Sequence, residues 1–380
     1  MQKILFHKTH TTDEEINAVV EVMKSGWLTM GPKTIEFENN FKKYVGAPEA
    51  VSVNSATAAL HLALKAIGLK KDDEVILSTN TFVATAEIVT YFGAIPVLCD
   101  VEETTHNIDV LKIEPLITNK TKVIIPVHFA GQPCDMNEIY SLARKYNLKV
   151  IEDAAHAGPS SYKGVRIGAL EGTDITCFSF YATKTLSTGE GGMATMNNSI
   201  YAKSMRVNRL HGMSRDAWNR YDGKGNWHYD VIDNGYKYNT TDINAVIGLV
   251  QLSKQGALMK KRFYIAQKYN SAFKKCKNIT IPYIKSDRAT SWHLYVIKVP
   301  QRDEVIKSIT KKGVGCSMHF IPIHKHSFYR KKYRLKDSDY EMANKVFESS
   351  LSLPIYPDMR DEEIDYVINK VIEAVNNLKS

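Results

Sequence analysis

The chain has 380 residues, 44% of them hydrophobic and 24% charged, with a formal net charge of +9. That length can bury a large core and favours two domains, and the composition is that of an ordinary globular protein. No stretch approaches the roughly 20 apolar residues of a membrane span, MQKILFHKTH lacks a signal-peptide run, and five scattered cysteines without a CxxC point to reduced thiols in the cytoplasm rather than disulfides or zinc. Basic residues cluster only at Lys260-Lys261-Arg262 and Arg330-Lys331-Lys332, with no nucleic-acid motif. A nucleotide-diphosphate ligand fits that charge, but so does a lysine-rich surface.

Thr12-Asp13-Glu14-Glu15 matches a capping box, and Ile16, Val19, Val20 and Met23 then give a helical face ended by Gly26. Trp27-Leu28-Thr29-Met30-Gly31-Pro32 reads as a loop, its tryptophan serving either the core or a ligand wall. A second helix carries Phe37, Phe41 and Tyr44 as core. From residue 50 to about 196, strand and helix patterns alternate. The expected strands are Val51–Val53, Glu74–Leu77, Pro96–Cys99, Val123–Val127, Lys149–Ile151, Thr176–Phe180 and Met193–Met196. This predicts a doubly wound α/β domain with a seven-stranded, largely parallel sheet.

Three stretches in this region carry chemistry. Asn54-Ser55-Ala56-Thr57-Ala58-Ala59-Leu60 follows the first strand and opens a helix. Small hydroxyl residues there make either a phosphate site or an ordinary N-cap. Lys149 to Ala157, KVIEDAAHA, ends a strand on Glu152-Asp153, at the sheet edge where ligands bind in open α/β folds. Asp153 suits a pyridine-nitrogen partner; the bland alternative is a loop acid. Asp174 to Met193, DITCFSFYATKTLSTGEGGM, is a strand, a polar loop with the single lysine Lys184, and a glycine cluster. A lysine so placed suits Schiff-base chemistry, which needs a partly dry amine; the alternative is a surface lysine in a turn. Ser179 alternates with Phe178 and Phe180, so it faces the other side of its strand. Phe82 is either a cofactor contact or core, and His156 either a cofactor contact or a helix cap.

Residues 212–235 are rich in Gly, Asn, Asp and aromatics and read as a long loop. Trp218, Tyr221, Trp227 and Tyr229 could stack on a ligand or staple the loop down. Gly235 to Asn244, GYKYNTTDIN, leads into a helix apolar nearly all round, expected deep in the fold or at an interface. After about residue 255 a smaller α+β domain is expected, with strands Leu294–Val299 and Val314–Phe320 and a last helix carrying Ile364, Val367, Ile368, Val371 and Val375. The domains expected are thus 1–255 and 256–380. His319, His324 and His326 in MHFIPIHKH have no Cys or carboxylate at ligand spacing, so no metal is expected.

NSATAAL, TFVAT, EDAAHA, SFYATKTLSTGEGG and GYKYNTTDINAVIGLVQL, in that order, resemble the DegT/DnrJ/EryC1/StrS family of pyridoxal phosphate (PLP)-dependent nucleotide-sugar aminotransferases. GWLTMGP, KVIIPVHFAGQP and SWHLYVIKV bring the chain nearest to the family's UDP-pentose branch. The resemblance implies an aspartate-aminotransferase-like (fold type I) α/β architecture and a homodimer with a shared active site. It also implies glutamate as donor and a keto nucleotide sugar, aminated at C4 rather than C3, as acceptor. Lys184 would hold PLP and shuttle protons, with Asp153 on the ring nitrogen and Phe82 stacked on the ring. His156 would reach the ring's phenolic oxygen. Ser55, Ala56, Thr57 and Ser179, with Asn239 from the other subunit, would take the phosphate. Trp27, Thr29, His319 and His324 would stand near the substrate entrance. Some relatives carry histidine in place of Lys184 and dehydrate sugars; the lysine implies transamination. A nicotinamide-dependent Rossmann enzyme would need a GxGxxG after the first strand, and NSATAAL has no glycine. A non-catalytic homologue could drop the lysine or the aspartate; both are present.

Overall fold

The computed structural model describes residues 3–214 and 229–378. Two helices come first, α1 (Asp13–Ser25) and α2 (Pro32–Val45). The capping box forms: the Thr12 hydroxyl accepts from Glu14 N–H, and the Glu15 carboxylate accepts the Thr12 N–H at 2.9 Å. The large sheet follows: β1 (Glu49–Val53), α3 (Ala56–Ala66), β2 (Glu74–Ser78), α4 (Val83–Thr90), β3 (Ile95–Cys99), β4 (Thr121–Ile125), α5 (Met136–Tyr146) and β5 (Lys149–Asp153). A short hairpin, β6 (Ser161–Tyr162) and β7 (Val165–Arg166), precedes β8 (Ile175–Ser179), β9 (Gly192–Met196) and α6 (Ser199–Asn208).

All seven expected strands form one sheet, in the order β1-β9-β8-β5-β4-β2-β3. Its pairs are parallel except those of β9, which runs antiparallel to both β1 and β8. The Val- and Ile-rich strands suit a sheet covered on both faces. On one face Leu60, Ile88 and Met205 of α3, α4 and α6 pack against it; on the other, Phe37, Phe41 and Ile139 of α2 and α5 do so.

The next helix, α7 (Asp242–Phe273), runs 32 residues without interruption. Its first half packs on α2 so closely that a Cβ on Gly248 would sit 2.5 Å from the Phe37 ring. Its Asp242 carboxylate caps α2, accepting from Gly31 N–H at 2.8 Å, Thr34 N–H at 2.9 Å and the Thr34 hydroxyl at 2.7 Å. Its second half puts Ile265, Tyr269 and Phe273 into a separate core. The remaining elements are β10 (Arg288–Ala289), β11 (Tyr295–Lys298), α8 (Arg302–Lys311), α9 (Ser327–Tyr333), α10 (Glu341–Ser349), β12 (Ser350–Leu353) and α11 (Asp361–Asn376). The apolar face expected for the last helix is buried in this second core.

One expected strand is corrected. β11 pairs with β12, and Val314–Phe320 forms no strand. That segment makes only single bridges, Val314 to Ile4 and Ser317 to Ser352. It touches the N-terminal segment at one point and β12 at another, and at Gly315 it approaches the Phe6 backbone too closely for a Cβ, which would lie 2.5 Å from the Phe6 nitrogen. In the 212–235 loop, Trp218, Tyr221 and Trp227 lie outside the described residues; Tyr229 is exposed.

Candidate active site

Three chain turns meet at the C-terminal edge of the parallel strands, where open α/β sheets place their ligands. β5 ends on Asp153, β8 on Ser179, and β1 is followed by the N-terminus of α3. They enclose a cavity of ≈ 420 Å³ lined by Ser55, Ala56, Thr57, Phe82, Asp153, His156, Ser179, Lys184 and His319. Nine of the thirteen candidate residues, read from positions up to 264 residues apart, therefore share one cavity.

The other four stand elsewhere. Asn239 is half-buried, accepting from Lys237 Nζ at 2.7 Å and donating to its neighbour's Thr240 carbonyl at 2.9 Å. Trp27 borders the groove between α1, α2 and α7. The Thr29 carbonyl accepts from Asp242 N–H at 3.2 Å. His324 is buried, with Nδ1 2.8 Å from Thr79 Oγ1 and Nε2 3.0 Å from Asn344 Oδ1. Among the described residues no three His, Cys, Asp or Glu side chains converge to hold a metal ion.

Lys184 sits in the connection between β8 and β9, two residues past the carbonyl of Ala182 that anchors His7 and Thr9. Burial pulls its ammonium down to about 8, against the opposing pull of Asp153. Asp153 is 5% exposed and held by the Thr85 hydroxyl at 2.7 Å and Ala155 N–H at 3.1 Å. Ser55 caps α3 through Ala58 N–H, leaving the first-turn N–H groups of Ala56 and Thr57 at the cavity wall. Gly192 lets β9 pass against this turn: a Cβ there would lie 2.5 Å from the Ser55 carbonyl and 2.8 Å from Ala56 N. Phe82 leaves 58% of its surface open beside the cavity.

Four histidines surround the lysine. Burial, then Arg262 and Lys184, push His7 down to about 4, against the Ala182 carbonyl that accepts its Nε2–H at 3.0 Å. Burial and Lys184 bring His319 to about 4. His156 and His293 are driven well below their ordinary value, chiefly by burial and then by Lys184. The cavity therefore holds one titratable amine among neutral imidazoles.

Sequence reasoning assigned no role to His7, Thr85, Glu190, His293 or Phe320, which also line the cavity. His293 stands in SWHLYVIKV and Thr85 in TFVAT, so the stretches were noticed for likeness alone. His7 comes from the N-terminal segment, where nothing local marks a site.

The residues fit PLP. A half-dry lysine, a buried carboxylate, an open aromatic face and the first turn of a helix are the groups such a cofactor needs for its carbonyl, ring nitrogen, ring face and phosphate. The DegT/DnrJ/EryC1/StrS aminotransferase family matches this chain over residues 9–372. The uncharacterized protein MJ1066 of Methanocaldococcus jannaschii is 47% identical over 370 residues, 96% of this chain and 95% of that one. The spore coat polysaccharide biosynthesis protein SpsC of Bacillus subtilis is 46% identical over 95% of this chain and 94% of its own. The PLP form of the sugar aminotransferase Spr1654 from Streptococcus pneumoniae superposes with a TM-score of 0.92 over 100% of both chains, at 33% identity.

Proposed function

This chain belongs to the DegT/DnrJ/EryC1/StrS aminotransferase family, a family of PLP-dependent sugar aminotransferases, and from that premise we propose that it aminates a keto nucleotide sugar with glutamate as donor. The observation that carries the reading is Lys184, brought to about 8 in a cavity that also holds Asp153 and the start of α3. The relative SpsC, named for polysaccharide biosynthesis, supports a product destined for a surface polysaccharide or glycan. The 4-keto position rests on overall similarity to the UDP-pentose branch and on EDAAHA. We propose further that the enzyme works in the cytoplasm, as a homodimer of two-domain chains divided near residue 255.

When bound, PLP supplies a protonated ring that draws electrons from the carbon losing its proton. Lys184 would hold it covalently, and Asp153 would balance the charge on the ring nitrogen. Ser55, Ala56, Thr57 and Ser179 would take the phosphate at the positive end of α3, joined in the dimer by the partner subunit's Asn239. Phe82 would stack on the ring and His156 would reach its phenolic oxygen. Freed during turnover, Lys184 Nζ takes the proton from the donor's α-carbon. In the second half it delivers a proton to the sugar's former carbonyl carbon. With a value near 8, about a tenth of its amine is neutral at pH 7, against a negligible fraction for an exposed lysine. His319 is the substrate-side residue that this chain's own cavity offers.

The test is the absorbance of the PLP-loaded protein before and after glutamate, with Lys184→Ala alongside. A glutamate-dependent change in the wild type alone supports the reading. The aminated protein is then offered 3-keto and 4-keto nucleotide sugars. Restoration by a 3-keto sugar alone would move the reaction to C3, and no change with any donor would sink the reading.

A further inference from the structure

His293 is 5% exposed, and its Nε2 lies 3.5 Å from Lys184 Nζ. Its Nδ1 is buried with no hydrogen-bond partner among the described residues. Its ring centroid lies 4.4 Å from that of His156, whose own Nδ1 accepts Ala130 N–H at 3.3 Å. Among the described residues His293 alone puts a side-chain nitrogen within hydrogen-bonding reach of the lysine; Asp153, His156, His319 and His7 act on that region from farther off.

The backbone under His293 is built at a cost. Trp292 has φ +48°, a left-handed conformation that bulky residues rarely adopt unless their surroundings impose it. Those surroundings are present. Ser291 N–H donates to Ser160 Oγ at 3.0 Å, and its hydroxyl donates to the His156 carbonyl at 2.5 Å. Arg262, 1% exposed, donates through Nη1 to the Trp292 carbonyl at 3.2 Å and to the Ile355 carbonyl at 2.8 Å. No acidic side chain among the described residues pairs with this guanidinium. A buried cation without a carboxylate is expensive, and this one holds two carbonyls: that of the residue before His293, and that of cavity-lining Ile355.

We propose that His293 is a positioning residue for Lys184, its Nε2 accepting a hydrogen bond from Nζ so that the freed amine keeps a fixed direction. No covalent bond changes in this contact, and no proton need cross it. A neutral amine has two N–H bonds; engaging one with His293 leaves the lone pair aimed by the remaining geometry. The neutral imidazole provides the acceptor without adding a charge that would hold the lysine away. The catalytic consequence rests on the aminotransferase reading; the contact itself does not.

Two variants separate the contact from packing. His293→Phe keeps a ring and accepts nothing, whereas His293→Gln keeps an acceptor. The first readout needs no donor: the pH dependence of the rate at which apo-protein captures PLP, which follows the neutral fraction of Lys184. Losing an acceptor of the ammonium's hydrogen bond removes support for the charged form, so the midpoint should fall by about one pH unit in the Phe variant and by less in the Gln variant. The second readout is the glutamate-driven absorbance change in a single turnover. The Phe variant should be slower by about 10- to 100-fold and the Gln variant should recover much of that, with PLP affinity and melting temperature close to wild type. A wild-type midpoint in the Phe variant overturns the proposal. So does equal loss in both variants, or loss of rate in step with PLP affinity and thermal stability. If the wild type answers no donor, the aminotransferase reading fails while the capture midpoint still decides the His293 contact.

Discussion

At the scale of single residues, the site separates charge from neutrality. Burial lowers Lys184 to about 8, and it lowers the surrounding histidines too, His319 to about 4 and His156 and His293 well below their ordinary value. The rate of PLP capture should therefore rise with pH through about 8 in the wild type and vanish in Lys184→Ala; a flat profile from pH 6 to 9 would show that Lys184 is not the reacting amine. The Thr85–Asp153 contact gives a second expectation. Thr85→Val removes a donor to a buried carboxylate, so PLP should bind about tenfold more weakly, since such bonds are worth about 1.5–3 kcal/mol to a charged acceptor. Equilibrium titration of the apo-variant checks this, and unchanged affinity refutes it. Lys184, Asp153 and Ser55 were legible because each sits where a strand or turn pattern announces an edge. His7 and His293 were not, because they join the cavity from segments 286 residues apart, and only tertiary packing brings them together.

At the scale of elements, the phosphate end depends on how closely β9 passes the first turn of α3. Gly192→Ala puts a methyl against the Ser55 and Ala56 backbone, which cannot swing aside as a side chain can. We expect a loss of about 1–3 kcal/mol in denaturant unfolding and weaker PLP binding; a variant equal to wild type in both would show that the turn is not confined. The N-terminal helix depends on an ionised acid. Burial would raise Glu15, but bonds from Thr12 and Lys254 outweigh it and bring the carboxyl down to about 2. A carboxyl so lowered adds stability above its ordinary value near 4.5, and that stability is lost as pH falls toward 2. Hydrogen exchange should show α1 loosening in that window, whereas Glu15→Gln should already be loose at neutral pH. The inner strands β2, β4 and β5 of the large sheet were legible from Val and Ile runs, and β8 from its apolar strand formers Ile175, Cys177 and Phe178. β12, Ser-Leu-Ser-Leu, was not: its partner β11 lies more than 50 residues earlier, and its polar alternation matches many loops.

At the scale of the whole molecule, buried histidines set the acid limit. His7, His61 and His319 titrate at about 4, and His156 and His293 are pushed well below their ordinary value, all with burial as the leading cause. In the unfolded chain they would titrate near 6.5. Between about pH 6.5 and 4 the unfolded state therefore binds more protons, and stability falls as pH drops through that window. The melting temperature should decline steadily from pH 7 to pH 5; a constant value would mean that these imidazoles are hydrated in the fold. β9 is the large sheet's one reversed strand, so the lysine connection spans neighbouring strands and its ends close on each other within about 20 residues. The β1–β9 pairing instead joins residues about 145 apart, Glu49 with Met196. In contact-order terms the lysine arm is a local product and the phosphate arm a late one. During synthesis, the turn at Ser55 waits for almost 140 further residues before the strand that braces it leaves the ribosome.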